Sequence, residues 1–187
     1  MPLLPKEKEL SAAHSVILEG PLGIAEDHTN PKGRELVKRL VEAGVVNRLF
    51  IEMPSYRNDG LKSLKGKSHQ ELLEGIALEP EQHGCSITLK EVAAFAMSLK
   101  VEVICADPKI LLGASRLNAR NIASAELING TYSGGKAGDI FLWGGDHFVG
   151  GKNSLTALLN LVWVDATDDP KWHMHWEKEL TPSSNKN

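Results

Sequence analysis

The sequence predicts an α/β fold with an open, mostly parallel sheet of about five strands and helices on both faces. Short apolar runs alternate along the chain with longer segments in which apolar residues recur at helical spacing. Strands that alternate with helices are typical of parallel sheets covered on both faces. The length of 187 residues and the hydrophobic content of 42% suit one domain over residues 1–187, with its core at 14–165.

The first elements predict a β-α-β unit. The apolar run Ser15–Leu18, bounded by Gly20 and Pro21, is predicted as the first buried strand. Apolar residues at helical spacing predict a helix over 33–43, and Arg48–Glu52 follows as the second strand. A right-handed crossover is expected between the two strands.

Residues 55–86 interrupt this alternation. The segment is turn-rich and basic, with Lys62, Lys65 and Lys67 close together and a short helix predicted over 69–77. Long insertions of this kind are usually functional or mobile, so we interpret it as a mobile lid or specificity loop.

The alternation then returns. Thr88 and Glu91 have the spacing of a capping box, which predicts a helix through Leu99. The later predictions are a strand at 101–106, a helix at 110–128, a strand at 140–143, a helix at 154–160, a strand at 161–164 and a polar tail at 180–187. Two histidines at 173 and 175 lie between tryptophans, a pattern that favours an aromatic clasp over a metal or haem site.

Composition excludes several classes of function. The formal net charge of −3 gives no general attraction to nucleic acid, so no nucleic-acid partner is expected. Two cysteines exclude a disulfide framework and a four-cysteine zinc site. No run is apolar enough to predict a membrane span or a signal peptide.

Two histidines beside acidic residues are the leading candidates for a functional site. His28 follows Glu26 in a loop, and His147 follows Asp146 after the predicted strand 140–143. Glu52 stands at the end of the second predicted strand. Parallel sheets place working residues at the carboxyl ends of their strands, so we expect these side chains to share one crevice.

Four short blocks, taken in order, resemble a known superfamily. The blocks are Gly23–Arg34, Phe50–Glu52, Ala119–Ile122 and Trp143–His147. Their order is similar to that of erythromycin esterases, ChaN-like haem-binding proteins, TraB and Tiki proteins, and modules of bacterial toxins and type III effectors. The resemblance implies a catalytic set that consists of Glu26, His28, Glu52, Arg120 and His147.

The form of the chain most resembles the effector and toxin members. That resemblance implies a secreted effector that acts in the host cytoplasm, with a host protein as a partner; the alternative location is the bacterial cytoplasm.

The chemistry of these residue types predicts a hydrolase that cleaves an ester, peptide or phosphoryl bond of a small-molecule or peptide substrate. A histidine beside a carboxylate can act as general base on water, while Arg120 or the second histidine stabilises negative charge. Alternatively, His28, Glu52 and His147 bind a divalent metal that activates the water, as the Tiki resemblance implies. The sequence does not identify a cofactor, and it leaves open whether a histidine or a metal ion activates the water.

A non-catalytic function is the second hypothesis. The same fold can serve as a binding module that engages haem, a nucleotide or a host protein through residues 55–86. The lysines at 62, 65 and 67 most often mark a solvated loop, with phosphate binding as the alternative.

Overall fold

Five parallel strands form the centre of the protein. A computed structural model describes residues 7–77, 84–108, 117–149 and 151–167. The strands are β1 (Leu22–Glu26), β2 (Arg48–Pro54), β3 (Glu102–Asp107), β4 (Asp139–Gly144) and β5 (Val162–Asp165). They lie in the order β3-β2-β4-β1-β5, and each neighbouring pair is parallel. The predicted open α/β sheet is therefore confirmed.

Helices connect the strands. Within the described ranges they are α1 (Glu7–Glu19), α2 (Lys32–Glu42), α3 (Asn58–Ser63), α4 (His69–Gly75), α5 (Leu89–Ser98), α6 (Leu117–Tyr132) and α7 (Leu155–Leu159). Short 3-10 turns occupy Ser55–Arg57, Gly145–His147 and Gly151–Asn153. None of the described helices combines the length and apolar character that crossing a membrane requires.

Alternating strand residues build two apolar layers, one on each face of the sheet. Leu49 and Ile51 of β2 belong to one layer, which α1, α2 and α5 complete. Phe50, between them, belongs to the other layer with residues of α6 and α7. The prediction of helices on both faces is confirmed.

The predicted first strand, Ser15–Leu18, is wrong, because these residues form the end of helix α1. Ala13 and Ile17 lie four residues apart, and both are fully buried, whereas Leu18 is 57% exposed. That pattern is the single buried stripe of a surface helix. The true first strand, β1, begins at Leu22, and all five of its residues are buried.

The segment after β2 is more regular than predicted. Its described part contains the 3-10 turn Ser55–Arg57 and helices α3 and α4. Ser68 and Glu71 form a reciprocal capping box at the start of α4. The mobility of this segment stays a prediction.

Several other predictions are confirmed with shifted ends. Helix α5 begins after the predicted capping box of Thr88 and Glu91. Helix α6 continues past Gly130 to Tyr132. The predictions that concern residues 110–116, the two histidines at 173 and 175, and the tail at 180–187 lie outside the described residues.

Candidate functional site

Acidic residues stand at or near the carboxyl ends of β1, β2 and β3. Glu26 ends β1 and pairs in register with Gly144, which ends β4. Glu52 follows Ile51, the β2 residue that pairs with Leu142 of β4. Because the strands are parallel, these ends meet at one edge of the sheet, and the end of β4 lies between the two carboxylates. Asp107 ends β3 at the same edge.

Glu52 is the centre of a charged cluster. Its Oε1 lies 3.1 Å from Nε2 of His147 and 2.8 Å from Nη2 of Arg120, and its Oε2 accepts a hydrogen bond of 2.9 Å from the Gly144 N–H. Burial alone would raise the pKa of the Glu52 carboxyl, but the hydrogen bond and charge of His147, the Gly144 N–H and Arg120 lower it to about 2. Glu52 is therefore a carboxylate at neutral pH.

Both ring nitrogens of His147 face oxygen atoms. Its Nδ1 contacts Oδ1 of Asn121, while Nδ2 of the same amide donates to the carbonyls of His147 and Asn153 at 3.4 and 2.9 Å. Those two carbonyls fix which side of the amide is oxygen, so Nδ1 faces an acceptor. Nε2 faces the Glu52 carboxylate. The ring is thus buried and held between Asn121 and Glu52.

Arg120, on helix α6, links two of the strand ends. One guanidinium nitrogen, Nη2, contacts both Glu52 and Asp107. Burial lowers the pKa of Arg120, but the hydrogen bonds and negative charges of Asp107 and Glu52 outweigh it and raise the pKa. The side chain keeps 27% of its surface exposed, so it can still reach a bound molecule.

Glu26 and His28 form a second group beside the Glu52 cluster. Nδ1 of His28 lies 3.0 Å from Oε1 of Glu26. Arg34, fully buried on α2, donates to both oxygens of Glu26, with Nε at 2.8 Å and Nη2 at 3.2 Å. The two bonds from one guanidinium fix the orientation of the carboxylate, and the carboxylate in turn orients the His28 ring.

The environment of His28 favours its charged form. The hydrogen bond to Glu26 raises the pKa of His28; burial and Arg34 oppose this, while the charges of Glu26 and Glu52 add to it. The side chain of His28 is 40% exposed, against 6% for His147. His28 is therefore the more accessible of the two histidines.

The two groups meet over Gly144. Nε2 of His28 lies 3.8 Å from Oε2 of Glu52. A Cβ added to Gly144 would stand 3.2 Å from Nε2 of His28 and 3.4 Å from Oε2 of Glu52. A side chain at this position would crowd the His28 ring, so glycine suits the point where the two groups meet.

The structure thus brings the five predicted site residues into one cluster, with one change of partner. The acidic neighbour of His147 in sequence, Asp146, is exposed, and the carboxylate that contacts His147 is Glu52. Sequence reasoning missed the roles of Arg34, Asp107 and Asn121. Asp107 carries the same signal as Glu52, an acidic residue at the end of an apolar strand, and could have been found by it.

The residues do not fit the predicted divalent metal. Within the described ranges, no group of three or more His, Cys, Asp or Glu side chains is arranged to hold a metal ion. Both oxygens of Glu52 already accept hydrogen bonds, and both ring nitrogens of His147 face oxygen acceptors. A metal ion on Glu52 would also have to lie close to the positive charge of Arg120.

Comparisons with known proteins identify structural neighbours. No protein-family model and no curated protein sequence matches the chain. The structure of the type III effector HopBA1 is similar with a TM-score of 0.55 and 14% sequence identity, and the match covers 74% of our chain and 71% of that chain. A structure described as "Bacterial protein toxins" is similar with a TM-score of 0.55 and 16% identity.

The toxin match covers 86% of our chain but only 38% of the toxin chain. At these identities the likeness concerns the fold. The five-stranded α/β fold of this protein is therefore one that a type III effector and a bacterial toxin also have.

Proposed function

We propose that the protein is a hydrolase in which His28 is the general base, and that it acts as a bacterial effector or toxin inside a host cell. The observation that carries the proposal is the ordered series Arg34–Glu26–His28, which presents a half-exposed imidazole beside a buried charged cluster.

Each member of the series has a definite task. Arg34 orients Glu26, and Glu26 accepts the Nδ1 proton of His28, so Nε2 is the nitrogen that can take a proton from water. The hydroxide attacks an acyl carbon or a phosphorus atom, the bond from that atom to the leaving group breaks, and the leaving group takes the proton back from Nε2 of His28. No covalent intermediate with the protein is needed.

Arg120 is the group best suited to stabilise the developing negative charge. A guanidinium carries five N–H donors, and the contacts to Glu52 and Asp107 both use Nη2. The Gly144 N–H also lies at this edge of the sheet, but it is already bonded to Glu52. His147 holds Glu52 in place from the buried side.

The proposed biological setting is supported by the two structural neighbours, a type III effector and a structure described as "Bacterial protein toxins". We propose a small-molecule or peptide substrate, a host protein as partner and action in the host cytoplasm. The residues of the proposed site come from all four of the sequence blocks that resemble the superfamily of esterases, toxins and effectors.

Replacement of His28 tests the proposal directly. We expect His28→Ala to lower the rate of p-nitrophenyl acetate or p-nitrophenyl phosphate hydrolysis by about 10²- to 10⁴-fold, the usual contribution of a general base. We also expect expression of the parent protein to lower the viability of eukaryotic cells, and the same variant to abolish that effect. His28 is 40% exposed, so the thermal midpoint should change little.

His69→Ala is the matched control, because His69 is an exposed histidine on α4, outside the cluster. It should leave both readouts unchanged. If His28→Ala keeps the full cellular effect, the protein is a binding module and not an enzyme.

A further inference from the structure

A cavity lies away from the charged cluster, along the edge strand β3. Its volume is about 690 Å³, within the range of small-molecule sites. Val103, in its wall, precedes Asp107 of the charged cluster by four residues, which is about 13 Å along the strand. The cavity is therefore a separate feature of the molecule.

The rim of this cavity is strongly basic. Four lysines line it, Lys62, Lys65, Lys67 and Lys100, against one carboxylate, Glu102, so its formal charge is +3. The whole chain has a net charge of −3. The concentration of positive charge around one cavity favours an anionic ligand.

Two of these lysines have no ion pair within the described ranges. Lys62 lies 3.9 Å from Asp59, and Lys67 lies 3.3 Å from Glu71. Lys65 and Lys100 make no such contact with a described residue and are exposed. Their charges are thus available to a ligand.

The wall below the rim is apolar. Leu61, Val101, Val103 and Ile104 line it, and each is less than 9% exposed. Contact between water and an apolar wall is unfavourable. An apolar part of a ligand that displaces this water is therefore favoured. The combination of basic rim and apolar wall selects an amphipathic anion over a simple inorganic one.

The edge of β3 is partly closed to an added peptide strand. The side-chain amide of Asn58 accepts from the Cys105 N–H at 2.8 Å and donates to the Cys105 carbonyl at 2.9 Å. These are the two backbone groups that a further strand would need at that position. The occupant that fits is a small molecule.

Lys100 occupies a position that normally belongs to glycine. Helix α5 ends in a Schellman motif, in which the Val101 N–H bonds to the Ala96 carbonyl and the Lys100 N–H to the Met97 carbonyl. Lys100 there has φ of 69°, a left-handed conformation that is unfavourable for residues with a side chain. Glycine at position 100 would adopt this conformation without strain and would also remove the positive charge of the lysine.

We propose that this cavity binds an amphipathic organic anion, with its phosphate or carboxylate head at Lys65 and Lys100 and its apolar body against the wall that includes Val103. The site is independent of the proposed hydrolysis at His28.

Isothermal titration with dodecyl phosphate below its micelle concentration tests the proposal. We expect one molecule to bind per chain, and the double variant Lys65→Gln/Lys100→Gly to weaken binding by about tenfold or more. Dodecyltrimethylammonium, which has the same tail and the opposite charge, and inorganic phosphate, which has no tail, should both bind at least tenfold more weakly to the parent protein.

Lys152→Gln is the control variant, because Lys152 is an exposed lysine outside the cavity, and it should bind dodecyl phosphate like the parent. Lys100→Gly alone should keep or raise the thermal midpoint while it weakens binding, which separates loss of charge from loss of fold. Flotation with vesicles that contain phosphatidic acid distinguishes a membrane lipid from a free anion as the source.

Absence of saturable binding to the parent protein overturns the proposal. So does equal binding of the alkylammonium, equal binding of inorganic phosphate, or unchanged affinity in the double variant.

Discussion

The two histidines of the site have different surroundings. His147 is buried, and its two ring nitrogens lie against an amide oxygen and a carboxylate. His28 is oriented by one carboxylate and is half exposed. A general base must be able to lose its proton within the working pH range, so the residue geometry favours His28 for that role.

A pH profile tests this assignment. The pKa of His28 is raised above 6.5, mainly by its hydrogen bond to Glu26, and the base is active only when neutral. We therefore expect kcat/KM for p-nitrophenyl acetate to rise with pH through a value above 6.5. In Glu26→Gln the carboxylate charge is lost, so the midpoint of this rise should shift to lower pH. An unchanged midpoint in that variant would show that a different group titrates.

The sequence predicted the members of the site better than their contacts. Acidic residues at strand ends and a histidine after each of two candidate strands are visible in a linear pattern. That His147 pairs with Glu52, and not with its neighbour Asp146, depends on the direction of the side chains in the 3-10 turn after β4. The amide of Asn121 gives no linear signal, because its two carbonyl partners come from separate parts of the chain.

At the scale of the element, the error at β1 has a physical cause. Four apolar residues in a row fit either one side of a helix or a buried strand, and periodicity does not distinguish them over so short a run. The true strand contains Gly23, a residue of low strand propensity. Helices with capping boxes, such as the one after Thr88, were predicted well because the cap is local chemistry.

Phe148 and Trp163 pack so closely against β1 that position 23 has room only for glycine. A Cβ at this position would come within 2.5 Å of Cε1 of Phe148 and 2.8 Å of Cβ of Trp163. We expect Gly23→Ala to lower the free energy of unfolding by about 1–3 kcal/mol through overpacking, as measured by urea denaturation. Gly20→Ala is the control, since a Cβ at Gly20 has no atom within 4 Å and should leave stability nearly unchanged. Equal stability of Gly23→Ala and the parent would show that the neighbouring rings yield freely.

At the scale of the whole molecule, the buried charges make stability depend on pH. The pKa of Glu52 is lowered to about 2 in the folded protein, against 4.5 for its ordinary value. A lowered carboxyl pKa stabilises the fold above the unfolded value and loses this effect as pH falls through the folded value. His28, with its raised pKa, contributes stability below pH 6.5 that is lost as pH rises through the folded value.

We therefore expect the free energy of unfolding to decrease as pH falls from about 4.5 to 2. Urea denaturation at a series of pH values measures it. Exposed Glu71 has a similarly lowered pKa, so the decisive quantity is the difference between the parent and Glu52→Gln. That difference should be large at pH 7 and shrink across this interval; a difference independent of pH would mean that Glu52 does not titrate with the fold.

The position of β4 in the sheet has a consequence for how the chain acquires its structure. Strands β1 and β2 do not pair with each other. Both pair with β4, which ends at Gly144. During synthesis the earlier strands must wait for this late segment before the two sides of the sheet can join. Loop closure between such distant parts of a chain slows folding. The pair β2–β3 can form early, but the sheet as a whole can close only after β4 has been made.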